Sequence, residues 1–473
     1  SEDIAFLDSG RVITARWVCR KCNTDVGGMR QGPCLCAYSD ALGKEGARHE
    51  KSLKVVPVGD PSIYQVHTVS FINFPDDTAA HIHAAAEGPA LVLGRVWGLI
   101  TESVEKLLLE RAKTTDAGDD QAAELAEALR AMNPNHPRVK EYDARRSRPR
   151  WLDITDRLKE GISAKGGNLS GAARRWAIEH VTLLDDTSLT EVFDVAQMLR
   201  DRGDHTGAKE IEAAAGTASE VLGIRSMRVI NDFPLTLAAF GYTRLSKDPS
   251  RTVLNPYPPD ERGRFPIYAV SSETEALWFE LDPVAVVRWL HVNGLTVEEA
   301  KSREEAWFTL YARVPGLRDT PMEPKYNESS AVAVRTLLHT ISHVFLRRIE
   351  WSGFAPSSVG EYIIPGSLSF ILYANRHAET KIGGLTTLFE QRLSTWLWDA
   401  VQAGRECIYD PICTDDGGSC AGCTHREHSC VAFNRELSRA TLYGGSLPSS
   451  SELSGLRIST GYWDNAWSVV PKQ

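Results

Sequence analysis

The spacing of apolar residues changes period several times along the 473-residue chain, and each change marks an expected boundary. Val12–Val18 alternates and predicts a short strand running into a cysteine-rich turn. Ser62–Pro75 (SIYQVHTVSFINFP) alternates again and predicts a strand that stops at the proline, with His67 as a packed strand residue. A helical region begins over Ala79–Ala86. From about 94 to 225 the period is helical: Val104, Leu107, Leu108 and Leu109; Ala123, Leu125 and Leu129; then Val192, Phe193, Val195, Met198 and Leu199. Gly118-Asp119-Asp120 and Asn133–Pro137 interrupt this block, and helices at 172–180 and 187–202 close it. It reads as an insertion or a separate helical subdomain.

Strand character takes over at Ser226. Met227–Ile230, Leu235–Tyr242, Phe265–Val270 and Glu273–Leu281 are four expected strands. Asp282-Pro283 caps a helix carrying Val286, Val287, Trp289 and Leu290, and Glu298–Val314 reads as another helix before a loop to Asn327. A long amphipathic helix is expected over 328–349, capped by Ser329 or Ser330, with Val332, Leu337, Leu338, Ile341, Val344, Phe345 and Ile349 on its apolar side. Ser369–Ala374 is a buried strand, and Lys381-Ile-Gly-Gly-Leu385 opens a helix through Leu388, Phe389, Leu393, Trp396, Leu397 and Val401. A last helix is expected from about Asn434 to Tyr443. The fold class is therefore mixed α/β and multi-domain: an N-terminal zinc-ribbon and strand region (1–93), a helical subdomain (94–225), a mixed α/β linker domain (226–327) and a zinc-binding domain (328–473).

Composition narrows this picture. Hydrophobic content of 42% and charge of 24% are ordinary for a water-soluble globular chain. No apolar run approaches the length that spans a bilayer, and the acidic start, SEDIAFLDSG, has no basic-then-apolar leader. No Met opens the chain, as expected of a processed protein or of a piece that begins inside a longer one. The net charge of -9 argues against a surface wrapped by nucleic acid and leaves room for a local basic groove. Nine cysteines in clusters suit metal binding in a reducing compartment, which places the protein in the cytoplasm.

The chemistry concentrates in Glu406–Arg439. Cys420-Ala-Gly-Cys423 has the two-residue gap that lets a turn aim two thiolates at one tetrahedral ion. Cys407 and Cys413 can complete the set from upstream, or Cys413 and Cys430 from either side, so four of five cysteines are expected to bind one zinc ion. Asp415-Asp416-Gly417-Gly418 supplies turn residues between them. A closed set of thiolates leaves no open coordination position, so it orders chain instead of doing chemistry. Near the start, Cys19-Arg-Lys-Cys22 and Cys34-Leu-Cys36 form the two halves of an expected zinc ribbon, giving two ions in all. Arg138, Lys140, Arg145, Arg146, Arg148 and Arg150, interleaved with Tyr142 and Trp151, make the best basic patch: a nucleic-acid contact, with arginine on phosphate and an aromatic ring on a base, or a charged linker. His339 and His343 lie four apart on one helix face, a spacing a metal pair uses. No Glu follows His339 as a zinc protease requires, so packed or capping histidines are the default reading. The Gly383-Gly384 turn can present backbone N–H groups to an anion or allow close packing. The chain has no Gly-x4-Gly-Lys-Ser/Thr phosphate loop, no Gly-x-Ser-x-Gly elbow and no nucleotide-deaminase signature.

Three segments carry a family resemblance: LLHTISHVFLRRIEWSGF (337–354), FILYANRHAETKIGGLTTLFEQRL (370–393) and SCVAFNRELSRATLYGG (429–445). Together they resemble the zinc-binding domain at the end of MrfA-type mitomycin-repair helicases, and more closely the DrmB family of the bacterial DISARM anti-phage system. FGYTRL (240–245) and EALWFELDP (275–283) are similar to the middle of that family, so the likeness covers about residues 235–445. The Pro-Gly-containing opening usual in the family is not found here. The resemblance implies a non-catalytic defence subunit whose helicase partner, DrmA-like, supplies ATP hydrolysis while the pair engages DNA. It also implies Cys407, Cys413, Cys420 and Cys423 as ligands, with Cys430 as their neighbour. Two other readings stay open: a metal-dependent nuclease or phosphoester hydrolase built on the His339/His343 helix, and a stand-alone DNA-binding module using the basic stretch and the ribbon.

Overall fold

The computed structural model describes residues 2–8, 13–19, 25–27, 65–73, 76–115, 119–146, 149–165, 168–169, 174–186, 188–243, 253–295, 297–375, 384–426, 430, 432–448, 453 and 455–464. Two units divide the chain: residues 1–67 with 241–266, and residues 68–240 with 267–473. In the first, strands β1 (Glu2–Asp8), β2 (Ile13–Cys19) and β3 (Asp25–Gly27) form an antiparallel sheet in that order. Cys19 ends β2, whereas Cys22, Cys34 and Cys36 lie outside the described residues, and the expected ribbon with them.

The second unit is built on a sheet in the order β4 (Gln65–Ile72), β6 (Ile224–Thr243), β8 (Tyr268–Leu281), β10 (Ser369–Ala374) and β9 (Val359–Ile364), with β5 (Leu189–Glu191) also on β6. Beyond residue 240, β6 belongs to the first unit and pairs there with β7 (Leu254–Pro256). Two strands expected over 227–242 are one, because a register shift between Ile230 and Phe233 carries the ladder across Asn231-Asp232. Two more, expected over 265–281, are likewise one strand starting at Tyr268. Its first six residues are exposed, so no buried face marks them in the sequence. The Arg303–Arg313 helix starts later than expected, where the Ser302 side chain accepts from Glu305 N. The closing helices of the helical block run Arg175–Leu184 and Val192–Asp201. A further helix, His205–Val221, lies within the expected helical block without having been singled out: its buried stripe of Ala208, Ile211, Ala214 and Ala218 offers little contrast with its surroundings. The helices of residues 94–225 lie in the same unit as the sheet and share its core. Among the described residues no helix is long and apolar enough to cross a membrane.

The sheet's pleat sorts the core. Leu277, Phe279 and Leu281 of β8, with Phe370, Leu372 and Ala374 of β10, face one apolar cluster. There the Ser329–Leu346 and Leu385–Arg405 helices cover the sheet: Phe345 and Trp396 have ring centroids 5.4 and 6.0 Å from Phe279. Ala276, Trp278, Ile371 and Tyr373 point the other way, toward Ile72, Leu183, Phe233 and Leu235. The Ser329–Leu346 helix is buried at every position from Ser330 to Leu346. It is therefore not the half-exposed amphipathic helix expected, and its polar residues must find partners inside the protein. Its N-cap is Glu328 with no side-chain cap; neither Ser329 nor Ser330 caps it.

One buried charge interrupts the apolar rows of β8. Glu280, fully buried, lies 2.9 Å from His180 Nε2, accepts from Arg225 Nη2 at 2.9 Å and lies 3.0 Å from Arg228 Nη1. Burial pushes its carboxyl up, but the two guanidinium charges hold it well below the ordinary value of 4.5. A carboxyl depressed in this way adds stability above its unfolded pKa and gives it up as pH falls through the folded one. Glu280→Gln removes the carboxylate that Arg225 and the buried Arg228 share, leaving Arg228 with Glu191 alone, and is expected to destabilise this unit by about 3–5 kcal/mol at pH 7. The check is the urea midpoint of wild type and variant, whose gap should narrow below about pH 4.5.

Candidate metal centres

After the Leu385–Arg405 helix the chain enters a knot of tight turns. Cys407 follows at once, Cys413 sits on the single helical turn Ile412–Asp415, and Gly417 and Gly418 turn the chain back with φ of 87° and 67°. A Cβ on Gly417 would lie 2.2 Å from Pro448 N, so both the conformation and the space demand glycine there. The turns bring four sulfurs together: Cys407 to Cys420 is 3.4 Å, Cys413 to Cys420 3.4 Å, Cys413 to Cys423 3.6 Å and Cys420 to Cys423 3.7 Å. A tetrahedron of thiolates around zinc has edges of about 3.8 Å, so these four could hold such an ion. Backbone N–H groups of Gly422 and Cys420 donate to the Cys420 and Cys423 sulfurs at 3.3 Å. Burial pushes the Cys407 and Cys413 thiols up, while hydrogen bonds from Cys407, Cys413 and Gly422 N overcome burial to pull Cys420 down. Four sulfurs this close cannot all carry charge without a cation among them. Arg439 braces the knot, donating to Arg405 O and to Asp410 Oδ1, both at 2.6 Å, while Asp410 accepts from Cys407 N at 2.8 Å.

Cys430 is not part of that quartet. It joins a second cluster with His339, His343 and Glu361, whose donor atoms all lie within 4.8 Å of one another. The two histidines are one turn apart on the buried Ser329–Leu346 helix. Glu361 stands on β9 between Val359 and Ile363, residues packed on the apolar cluster that this helix covers, so the pleat aims its carboxylate at the helix. Nε2 of His339 and of His343 lie 3.1 and 2.9 Å from the same oxygen, Glu361 Oε1. Cys430 Sγ is 3.3 Å from His339 Nε2. Ser342 Oγ donates to the other carboxylate oxygen, Oε2. Burial works against charge on His339, yet Glu361 and Cys430 raise it to about 10, and His343 rises for the same reason. Cys430, which burial alone would push up, is held down to about 6 by the two imidazoles. Burial also opposes the Glu361 charge, but His343 and His339 keep its carboxyl well below its usual range.

The chain around Cys430 is held in an unusual backbone. Phe433, Asn434 and Glu436 have φ of 54°, 58° and 52°, a left-handed conformation that costs non-glycine residues about 1–3 kcal/mol each. Named contacts offset it. Glu436 takes a two-pronged bond from Arg335 at 2.9 and 3.0 Å, and Asn434 exchanges bonds with Arg426 N and O at 2.9 and 2.7 Å. The expected helix over 434–443 is consequently only Ala440–Tyr443.

Other candidate residues stand apart. Arg138, Lys140 and Arg150 are exposed on their helices; Arg145 and Arg146 lie in the Pro137–Arg146 helix, and Arg148 lies outside the described residues. Trp151 is buried in the core at 8% exposure and offers no ring face to a base, which corrects that part of the nucleic-acid reading. The helix start at Gly384 is already taken: Leu385 N donates to Glu275 Oε2 at 2.9 Å, so a carboxylate of the chain itself fills the expected anion position. His67 pairs with Thr243 Oγ1 at 3.0 Å. Sequence reasoning missed Glu361. The signal was a carboxylate at an inward position of an otherwise apolar strand, GEYII.

No protein-family model matches the chain, and no curated protein matches it.

Arg439→Gln removes the charge that ties the knot to the end of the Leu385–Arg405 helix and takes a guanidinium donor from Arg405 O and from Asp410, which keeps Cys407 N and Thr414 Oγ1. We expect a local loss of about 2–4 kcal/mol. Hydrogen exchange should read it as lost protection over residues 406–426, with the β8–β10 ladder unchanged.

Proposed function

We propose that the chain is a zinc-stabilised, non-catalytic subunit of a bacterial anti-phage defence complex, docking on a DrmA-like helicase and assisting its binding or loading of DNA. The observation that carries this reading is convergence. The segments resembling the DrmB family are far apart in sequence, yet His339 and His343 of 337–354 meet Cys430 of 429–445 in one cluster, and β10 of 370–393 pairs with β9, which carries Glu361. Ser438 N donates to Thr340 Oγ1 at 3.0 Å, the Arg335–Glu436 pair ties the helix to the last segment, and Arg439 ties that segment to the helix delivering Cys407. In this reading the knot of Cys407, Cys413, Cys420 and Cys423 holds one zinc ion and the N-terminal cysteines a further one. The chain has no phosphate loop, so the motor belongs to the partner. DNA is met through the complex, in the cytoplasm, with Arg138, Lys140, Arg145, Arg146, Arg148 and Arg150 as the stretch available for phosphate.

The assembly of His339, His343 and Glu361 favours a second reading, a metal-dependent nuclease. Against it stands burial: the two imidazoles and the carboxylate are 2%, 0% and 0% exposed, which leaves a phosphodiester no approach.

Tagged chain mixed with the helicase encoded beside it is expected to recover that helicase, and the isolated chain to hydrolyse no ATP. Recovery of nothing, or ATP turnover by the chain alone, overturns the proposal. Metal-dependent DNA cleavage by the purified chain, abolished by His339→Ala, would establish the nuclease in its place.

A further inference from the structure

We infer that His339, His343, Glu361 and Cys430 form a second, closed site for a divalent zinc-class ion, distinct from the four-cysteine knot. The argument starts with the far side of each imidazole. His339 Nδ1 lies 3.2 Å from Glu436 O, and His343 Nδ1 lies 2.6 Å from Thr424 O. A carbonyl oxygen only accepts, so each Nδ1 carries the proton. In a neutral ring the Nε2 atom is then a bare lone pair, and both lone pairs are aimed at Glu361 Oε1, which in a carboxylate also only accepts. Two imidazole lone pairs, a carboxylate oxygen and a sulfur thus converge on one point with at most the Cys430 thiol proton to share among them. Without an ion, a proton on each Nε2 supplies the donors and sets two imidazolium rings with centroids 4.5 Å apart beside the Glu361 carboxylate and Cys430. One divalent cation at that point satisfies all four groups and balances the carboxylate and thiolate charges with both rings neutral.

The surroundings are those of a ligand set. Each imidazole is fixed by a backbone carbonyl behind it, the arrangement that orients metal-bound histidine. The Ser342 hydroxyl occupies Oε2, leaving Oε1 alone for the ion. Zinc bond lengths set nitrogen–oxygen edges of about 3.3 Å and nitrogen–sulfur edges of about 3.6 Å. The 2.9, 3.1 and 3.3 Å found here need only a slight opening. Two imidazoles, a thiolate and one carboxylate oxygen suit zinc and its first-row neighbours, and do not suit calcium or magnesium, which take oxygen shells. Four protein donors fill a tetrahedron, so the ion is a clamp: it joins the Ser329–Leu346 helix, β9 and the turn carrying Cys430.

The test is metal content and X-ray absorption at the zinc edge on the full-length chain purified with zinc. Wild type is expected to show a shell with nitrogen or oxygen as well as sulfur. Cys430→Ala should lose about one ion per chain relative to wild type, and the nitrogen and oxygen component with it, leaving sulfur only. Cys420→Ser should lose an ion but keep the nitrogen and oxygen component. An unchanged metal count in Cys430→Ala, or an all-sulfur shell in wild type, overturns the second site. An unchanged count in Cys420→Ser with a lowered count in Cys430→Ala would instead overturn zinc in the knot and leave this inference standing. If Cys430→Ala fails to fold, cobalt(II) titrated into metal-stripped wild type decides: separate absorption bands for a thiolate-rich and a one-thiolate site support it, and a single four-thiolate spectrum refutes it.

Discussion

A helix buried on every side cannot leave its polar groups to water, and the Ser329–Leu346 helix is the case that shapes this protein. One part of its surface is apolar and lies on β8 and β10. The rest carries Arg335, Thr340, Ser342, His339 and His343, and beyond the bonds of Thr340 to Thr336 O and of Ser342 to His339 O within the helix, their partners come from the rest of the chain. Glu436 answers Arg335, Ser438 answers Thr340, and Glu361 takes Ser342 and both histidines. The irregular chain after the Leu385–Arg405 helix is thus folded onto the helix by polar satisfaction as well as by apolar burial, with Leu442, Leu447, Ile458 and Trp463 in the core and Trp463 stacked on Phe345 at 6.0 Å.

The same demand explains the local strain. Left-handed Phe433, Asn434 and Glu436 are held by this turn's bonds to Arg335 and Arg426. Around the cysteine knot the constraint is electrostatic. Four sulfurs at under 4 Å repel once ionised, and a buried Arg439 beside them gives the thiolates one fixed positive neighbour. A cation in each cluster turns mutual repulsion into cohesion, and metal binding to such clusters is coupled to folding.

This arrangement bears on the proposed role. Both candidate centres sit where chain segments meet, and His339, His343 and Glu361 are buried while Cys430 is half-buried. Groups placed in this way order a surface more readily than they turn over a substrate. A partner-docking subunit whose motor lies in another chain is consistent with that economy of chemistry, and the proposal rests on the convergence of the three resembling segments.

Much of this was legible in one dimension. Cys420-Ala-Gly-Cys423 and the turn residues before it announce a metal knuckle, because ligand spacing and turn chemistry are local. β10 and the Leu385–Arg405 helix follow directly from apolar period, since their buried faces are complete. The same period could not show that β6 crosses Asn231-Asp232 unbroken, that the exposed end of β8 is strand, or that an alanine stripe makes the His205–Val221 helix buried. Those depend on neighbours. So does the second centre: His339 and His343 are neighbours by helical arithmetic, but Glu361 and Cys430 reach them only through strand pairing and a left-handed turn. By itself the sequence singled out the clustered cysteines and the histidine pair as metal-binding chemistry, and missed Glu361. Only the tertiary structure decided that Cys430 leaves the cysteines for the histidines, because a ligand set is defined by distances in space that no spacing along the chain encodes.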